Sequence, residues 1–350
     1  MDRVGAISVV IPMRNEAAHV GQLVADLAAQ DYEGELEVLV ADGGSSDGSA
    51  GLIERAAREA GLHVDVLSNP AGIVSTGLNA CIRRATGDLI VRMDCHSRYG
   101  QDYLRRCASA AEETGAWNVG GLMVPEGSTA VQRAVAAAAD SPFGGVGWTR
   151  HADSGHRVDV DTVQLGAFRP TAFERAGLFD EALLRNQDDE LNFRIRQAGG
   201  RIVLDPSIRV RYVPRGTFSS LFSQYYEYGL WKAVVTAKHR RLLSARSLAP
   251  IAFVSSLAVL GGLSVRRPEA RWLLTAELAL YGAAALVSAS VATRRRREPW
   301  SLLPLVAAVF PTLHAAYGLG TLRGLLRIAA GGMPTERPPA RARGAGDATA

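Results

Sequence analysis

Three acidic motifs and one histidine carry the chemistry this chain can offer. Asp42 lies in Ala41-Asp42-Gly43-Gly44-Ser45-Ser46-Asp47-Gly48, Asp94 in Met93-Asp94-Cys95-His96, and Asp188, Asp189 and Glu190 follow Asn186-Gln187. A carboxylate can take a proton from a hydroxyl. It can also accept an N–H from a nucleobase edge, or join imidazole and phosphate oxygens around a hard divalent cation. Asp42 and Asp94 follow short apolar runs, Val38-Leu39-Val40 and Leu89-Ile90-Val91. Ligands of open α/β sheets bind beyond the carboxyl ends of the strands, so these side chains are expected to converge on one crevice. A charged nucleotide, a cation and a catalytic base together call for such a set. The pattern points to group transfer from a nucleotide-activated donor.

The elements that must position these residues alternate. Ile7–Met13 reads as an apolar strand, and Ala17–Gln30 places Val20, Leu23, Val24 and Leu27 at helical spacing. Strand Glu37–Ala41, helix Leu52–Ala60, strand Val64–Leu67, helix Ile73–Arg84 and strand Leu89–Met93 follow. Repeated strand–helix units with short connections predict an α/β fold with a mostly parallel, Rossmann-like sheet. From about Gly115 the pattern loosens. Gly120-Gly121 and the small-residue run Ala134–Ala139 lead to Gly144-Gly145-Val146-Gly147, which reads as a flexible segment reaching about Val160. Beyond it, Glu190–Ala198 is a helix closed by Gly199-Gly200, Ile202–Leu204 and Ile208–Tyr212 are short strands, and Phe218–Trp231 suits a helix lying along a membrane surface.

The composition changes after about Ser247. Leu248–Ser264, Trp272–Thr293 and Leu302–Leu322 are apolar, and the latter two reach the roughly 20 residues a spanning helix needs. Lys238, Arg240, Arg241 and Arg246 precede the first stretch and Arg294 to Arg297 follow the second, which would place both groups in the cytoplasm. Arg266, Arg267 and Arg271 oppose that arrangement, so two or three spans fit. The expected organisation is a catalytic domain at 1–214, an amphipathic surface linker at 215–246, a transmembrane region of two to three helices at 247–329 and a disordered tail at 330–350. A net charge of +4 gives no basis for nucleic-acid binding. No stretch near the amino end reads as a signal peptide, and Cys81, Cys95 and Cys107 lack metal or redox spacing, as expected of reduced thiols on the cytosolic side.

Ile11-Pro12-Met13-Arg14-Asn15-Glu16, Asp42-Gly43-Gly44-Ser45-Ser46-Asp47, Asp94-Cys95-His96 and Gln187-Asp188-Asp189-Glu190-Leu191, in that order, resemble the motifs of glycosyltransferase family 2 over about residues 5 to 235. The bacterial exopolysaccharide branch is the most similar. The resemblance implies a GT-A fold followed by transmembrane helices, in an inverting, membrane-attached hexosyltransferase. It implies that Pro12, Asn15, Glu16, Asp42 and Asp94 hold the nucleotide of a sugar donor, UDP-linked by preference. Asp94 and His96 would hold Mg2+ or Mn2+, and Asp188 would be the base. Gly166, Arg169, Asp189, Glu190 and Trp231 would lie near donor or acceptor.

The implied partners are a nucleotide sugar, a lipid-linked saccharide and the cell membrane, crossed more than once with the catalytic domain in the cytoplasm. His96 stands where the family's Asp-x-Asp motif has a second aspartate, and Gln187 where a glutamate precedes the base. The loose match Gln224…Trp231-Lys232 lacks the arginine of processive synthases. Taken singly, Asp42 also suits a turn, Asp47 a helix cap, Asp188 an acidic first helical turn, and Trp231 an interfacial anchor. The alternatives are a polyprenyl-phosphate sugar synthase and a non-catalytic scaffold with a degenerate transferase domain. A nucleotidyltransferase would need an early basic, glycine-rich triphosphate loop.

Overall fold

The computed structural model describes residues 3–144, 155–240 and 247–332. The chain divides into two compact units, Met1–Val124 with Arg150–Tyr212, and Pro125–Thr149 with Val213–Ala350. The sequence reading kept the segment from Pro125 in the catalytic domain, whereas the structure assigns it to the second unit.

The first unit opens with β1 (Ala6–Met13), α1 (Ala17–Ala28), β2 (Glu35–Asp42), α2 (Ser49–Glu59), β3 (Val64–Ser68), α3 (Val74–Arg84) and β4 (Leu89–Arg92). β5 (Ser97–Tyr99), α4 (Tyr103–Thr114) and β6 (Asn118–Pro125) come next; α5 (Ala130–Ala139) belongs to the second unit. β7 (Val158–Asp159), β8 (Ala167–Phe168), α6 (Pro170–Ala176), α7 (Gln187–Gln197) and β9 (Ile202–Tyr212) complete the first. The strands form one sheet in the order β3-β2-β1-β4-β8-β6-β9-β5, with β7 on β9. β3, β2, β1 and β4 run parallel, while β8 is antiparallel to β4 and β6, and β5 and β7 are antiparallel to β9. The sheet is therefore mixed, parallel across β3, β2, β1 and β4.

The parallel strands are near-continuous apolar runs because helices cover both their faces. Ile7, Leu23, Leu39, Ile53 and Leu89 are fully buried, each worth about 1.5–3 kcal/mol of transfer free energy. The chain leaves β1 for β2 on one side and reaches β4 on the other. The carboxyl ends of β1 and β4 thus flank the switch point where such folds bind ligands.

Two expectations need correction here. The pattern after Gly115 is not irregular at Ala134–Ala139, which lies in α5, and Thr129 and Gln132 form a reciprocal capping box at its start. Alanine has the highest helix propensity, and these side chains are small enough to be buried completely. Ile202–Tyr212 is one strand and not two. It continues through Pro206, which has no N–H to donate, because its antiparallel partners change there from β7 at Val203–Leu204 to β5 at Val210–Tyr212. Residues 145–154 of the expected flexible segment, 241–246 of the linker and 333–350 of the tail lie outside the described residues.

The second unit contains α5, α8 (Phe218–His239), α9 (Leu248–Ser264), α10 (Pro268–Arg295) and α11 (Leu303–Ala329). α8 runs past Trp231 to His239 and buries Leu221, Trp231, Val234 and Val235. It is packed on α11 by glycines: an ideal Cβ on Gly229 would lie 2.1 Å from the Tyr317 carbonyl oxygen, and one on Gly320 only 2.0 Å from that of Tyr226. Two helices, Pro268–Arg295 and Trp300–Ala329, are long and apolar enough to cross a membrane, while α9 is shorter. Their polar interruptions are paired: Glu277 accepts from the Ser256 hydroxyl, and His314 joins the Tyr281 hydroxyl to the Phe143 carbonyl. Part of the arginine cluster is structural too, since Arg296 binds Asp140 and the Pro125 carbonyl.

Gly320→Ala is expected to destabilise the detergent-solubilised protein by about 1–3 kcal/mol through overpacking. Gly261→Ala, in α9 with nothing within 4 Å of its ideal Cβ, is expected to leave stability unchanged or improve it. Thermal unfolding of the pair measures both.

Candidate active site

The loops after β1 and β2 are zipped together by side chains. Asn15, at φ 54°, donates its backbone N–H to the Ser45 hydroxyl and accepts from the Ser46 N–H through Oδ1. The Glu16 N–H donates to Ser49 Oγ. Asp47 accepts from the backbone N–H of Ala17 and of Ser49, so one carboxylate caps both α1 and α2. Asp42 accepts from the Ser45 N–H and hydroxyl, closing the turn that Gly44 (φ 75°) and Gly48 (φ 84°) permit. The turn and cap readings of Asp42 and Asp47 are both realised, at the carboxyl end of β2.

At the end of β4 a single arginine organises the site. Arg92 is 5% exposed. Its Nε and Nη2 reach Asp94 Oδ1 and Oδ2 at 3.0 and 3.1 Å, and its Nη1 reaches Asp188 Oδ1 at 2.8 Å. The planar fork thus grips two carboxylates brought from distant parts of the chain. The effect on them is opposite. Burial alone would push Asp94 up, but the charges of Arg92 and His96 and the Arg92 hydrogen bond hold its carboxyl below the usual range. Burial pushes Asp188 up, Asp94 and Asp189 add repulsion, and its single contact with Arg92 does not cancel them. Environments that push two carboxylates apart in this way separate a permanently charged group from one that can exchange a proton.

His96 turns its Nδ1 to Glu16 Oε1 at 3.2 Å, and the other oxygen of Glu16 lies 3.9 Å from His19 Nε2. A carboxylate on one ring nitrogen is the arrangement that orients the other toward a metal. Among the described residues no group of three or more His, Cys, Asp or Glu side chains is set to hold a metal. Asp94 and His96 therefore offer two protein ligands at most. That fits Mg2+ or Mn2+, which take their remaining ligands from water and substrate phosphates.

The other expected residues divide. Asp189 accepts from Thr162 Oγ1 at 2.9 Å, Thr162 accepts from Asn192 Nδ2, and Asn192 Oδ1 accepts from Asn118, a polar chain that fixes the first turn of α7. Glu190 is fully buried and both its oxygens are bound by Arg194, which also reaches the carbonyls of Ala176 and Leu178. It holds α7 to the end of α6 and is not placed to meet an acceptor. Gly166 acts through the backbone: its carbonyl accepts the Arg92 N–H, and an ideal Cβ there would lie 2.3 Å from Asn118 Oδ1. Arg169 donates to the Ala111 carbonyl. Pro12 is half-buried in β1, paired with Ala41. Trp231 is 6% exposed in the second unit, which removes its reading as an exposed interfacial anchor.

The sequence reading missed Arg92. Its signal is an arginine at the end of an otherwise apolar strand, where a buried charge requires anionic partners.

A mixed sheet with acidic residues beyond β1, β2 and β4 and a clamped carboxylate pair at its switch point suits the binding of a charged, activated donor. The sequence profile of glycosyl transferase family 2 matches residues 8–151. The succinoglycan biosynthesis protein ExoA of Rhizobium meliloti (strain 1021) is 32% identical over 91% of this chain and 94% of its own. A dolichyl N-acetyl-alpha-D-glucosaminyl phosphate glucuronosyltransferase of Methanococcus voltae is 23% identical over 92% and 97%. Among solved structures, the mannosyltransferase PcManGT from Pyrobaculum calidifontis, in complex with GDP-Man and Mn2+, shares the fold with a TM-score of 0.66, at 19% identity over 93% of this chain and 88% of that one. The chain belongs to glycosyl transferase family 2.

Glu190→Ala is expected to destabilise the protein by about 2–4 kcal/mol, because the half-buried Arg194 loses its carboxylate and keeps only the carbonyls of Ala176 and Leu178. Thermal unfolding of variant and wild type checks it.

Proposed function

We propose that the protein is a membrane-attached inverting glycosyltransferase, moving a hexose from a nucleotide sugar, UDP-linked by preference, to a lipid-linked saccharide in polysaccharide biosynthesis. The observation that carries this reading is the pair Asp94 and Asp188 on one buried guanidinium at the carboxyl end of β4. Pro12, Asn15, Glu16 and Asp42 line the nucleoside side. Asp94 and His96 hold the divalent cation, which when bound neutralises the diphosphate as it departs.

Asp188 takes the proton of the acceptor hydroxyl as its oxygen bonds to the anomeric carbon. The bond to the diphosphate breaks with its electron pair on the leaving oxygen. A single displacement inverts the centre, so an α-linked donor gives a β-linked product. Asp189, fixed by Thr162, keeps the first turn of α7 and hence Asp188 in place. α10 and α11 keep the enzyme at the cell membrane, where a polyprenyl-linked acceptor resides, with the catalytic unit on the cytoplasmic side. ExoA, a succinoglycan biosynthesis protein by name, supports the polysaccharide assignment.

The test offers radiolabelled nucleotide sugars and polyprenyl-linked lipid extract to the detergent-purified protein. Label is expected to enter lipid from one donor, to be lost with EDTA, and to fall about 10²–10⁴-fold in Asp188→Asn. Full transfer by that variant would remove Asp188 as the base.

The pH dependence follows from the raised position of Asp188. A base acts only when ionised, and a raised carboxyl ionises only at higher pH. kcat/KM should therefore climb with pH through a value above the ordinary carboxylate range. A rate already at its plateau at pH ~4, the unperturbed value for such a group, would contradict the assignment.

A further inference from the structure

We infer that Arg92 is a positioning residue of the transfer reaction, acting through the two carboxylates it holds and not as a part of the hydrophobic core. This rests on the assignment of Asp188 as base. Arg92 ends a strand whose residues are all buried, and its own side chain is 7% exposed. Asp94 and Asp188 are each 19% exposed, so their charges face each other across a poorly solvated space. Without a cation between them the two would repel and settle apart. The guanidinium prevents this and does more than neutralise: Nε and Nη2 make a parallel two-bond contact with Asp94, which leaves Nη1 as a third donor in the same plane for Asp188. One rigid group thereby sets the donor-side carboxylate and the base at a fixed separation. The backbone of Arg92 is itself fixed, its N–H donating to the Gly166 carbonyl at 3.1 Å. The Asp94 N–H donates to the Tyr99 hydroxyl at 2.7 Å, so the far end of the clamp is anchored as well.

Lysine keeps the charge but has a single ammonium on a flexible stem, so it cannot hold both carboxylates in one plane. The inference is therefore tested by Arg92→Lys, Asp188→Asn and the double variant. The full-length detergent-purified protein is assayed with radiolabelled nucleotide sugars and polyprenyl-linked lipid extract. Arg92→Lys is expected to lower kcat about 30- to 100-fold through Asp188, since a misplacement of about 1 Å at a reacting group has that order of effect, and to raise the donor KM through Asp94. In the Asp188→Asn background the same change is expected to cost less than about threefold in kcat, because the base it would misplace is gone, while the rise in donor KM persists. A purely structural arginine would lose the same factor in both backgrounds, and that additive result overturns the inference.

Wild-type kcat in Arg92→Lys beside an inactive Asp188→Asn overturns it while leaving the proposed function standing. Full activity of Asp188→Asn, or no transfer by the wild type from any donor, overturns both. Should the lysine variant not fold in thermal unfolding, Arg92→Gln, which keeps an amide donor for one carboxylate, carries the same cycle and the same outcomes.

Discussion

A guanidinium buried at the end of an apolar strand must find anions, and the anions it finds must come to it. That constraint at Arg92 orders much of the catalytic unit. Desolvating a cation in a protein interior costs several kcal/mol, and the attraction of its partners offsets this only when the geometry is good. The geometry is good here because Asp94 is two residues along the same strand end and Asp188 opens a helix brought up from far along the chain. The position of α7 is in turn secured at the next two residues. Asp189 is tied through Thr162 and Asn192 to β6, and Glu190 is tied through Arg194 to the end of α6. Three successive acidic residues thus serve three separate contacts, and only the first faces Arg92.

The same cation treats its two carboxylates unequally, and the inequality is chemically useful. Asp94 receives two hydrogen bonds and lies near the imidazole of His96, which favour its charged form, as its proposed role beside a cation and a diphosphate requires. Asp188 receives one, and feels the negative charges of Asp94 and Asp189, so it holds a proton more readily. A base must gain a proton in the transition state, and a carboxylate held as tightly as Asp94 would do so poorly. The zipped loops after β1 and β2 add a fixed backbone edge on the proposed nucleoside side, with Asp47 accepting the first N–H of both flanking helices.

Much of this was legible in the sequence, for identifiable reasons. β1, β2 and β4 each hold a short apolar run, Val9-Val10-Ile11, Val38-Leu39-Val40 and Leu89-Ile90-Val91, and their burial follows from it. The loops carrying Asp42 and Asp94 follow those runs, so the crevice could be placed. What escaped depended on distant partners. The Arg92 clamp joins residues 96 apart, and no local spacing announces it. The antiparallel β8 has two residues, too few for a periodic signal. α5 was hidden because an alanine run between glycines looks like a loop until the capping box at Thr129 and Gln132 is counted. Glu190 was misplaced because acidic neighbours in a first turn look alike in sequence, while burial separates them completely.

Along α10 the second unit reverses the usual distribution of side-chain sizes. Ala285, Ala289 and Ala292 are the buried positions there, while Trp272 at 76%, Leu280 at 74% and Val287 at 65% exposure point outward. The α8–α11 approach combines Gly229, Gly320 and Gly324 with buried large side chains, Trp231 and Phe310 among them. In water the arrangement of α10 wastes the main driving force for folding, since apolar area is left exposed where it could be buried. In hydrocarbon the outward side chains lose nothing, and close backbone approach through small residues becomes the main source of helix association. The paired polar groups Glu277–Ser256 and Tyr281–His314 fit the same solvent, because an unpaired polar side chain between lipid-facing helices would be expensive. The packing of α10 agrees with the proposed membrane attachment, because a buried helix of a soluble protein can match its length but not its outward-facing large side chains.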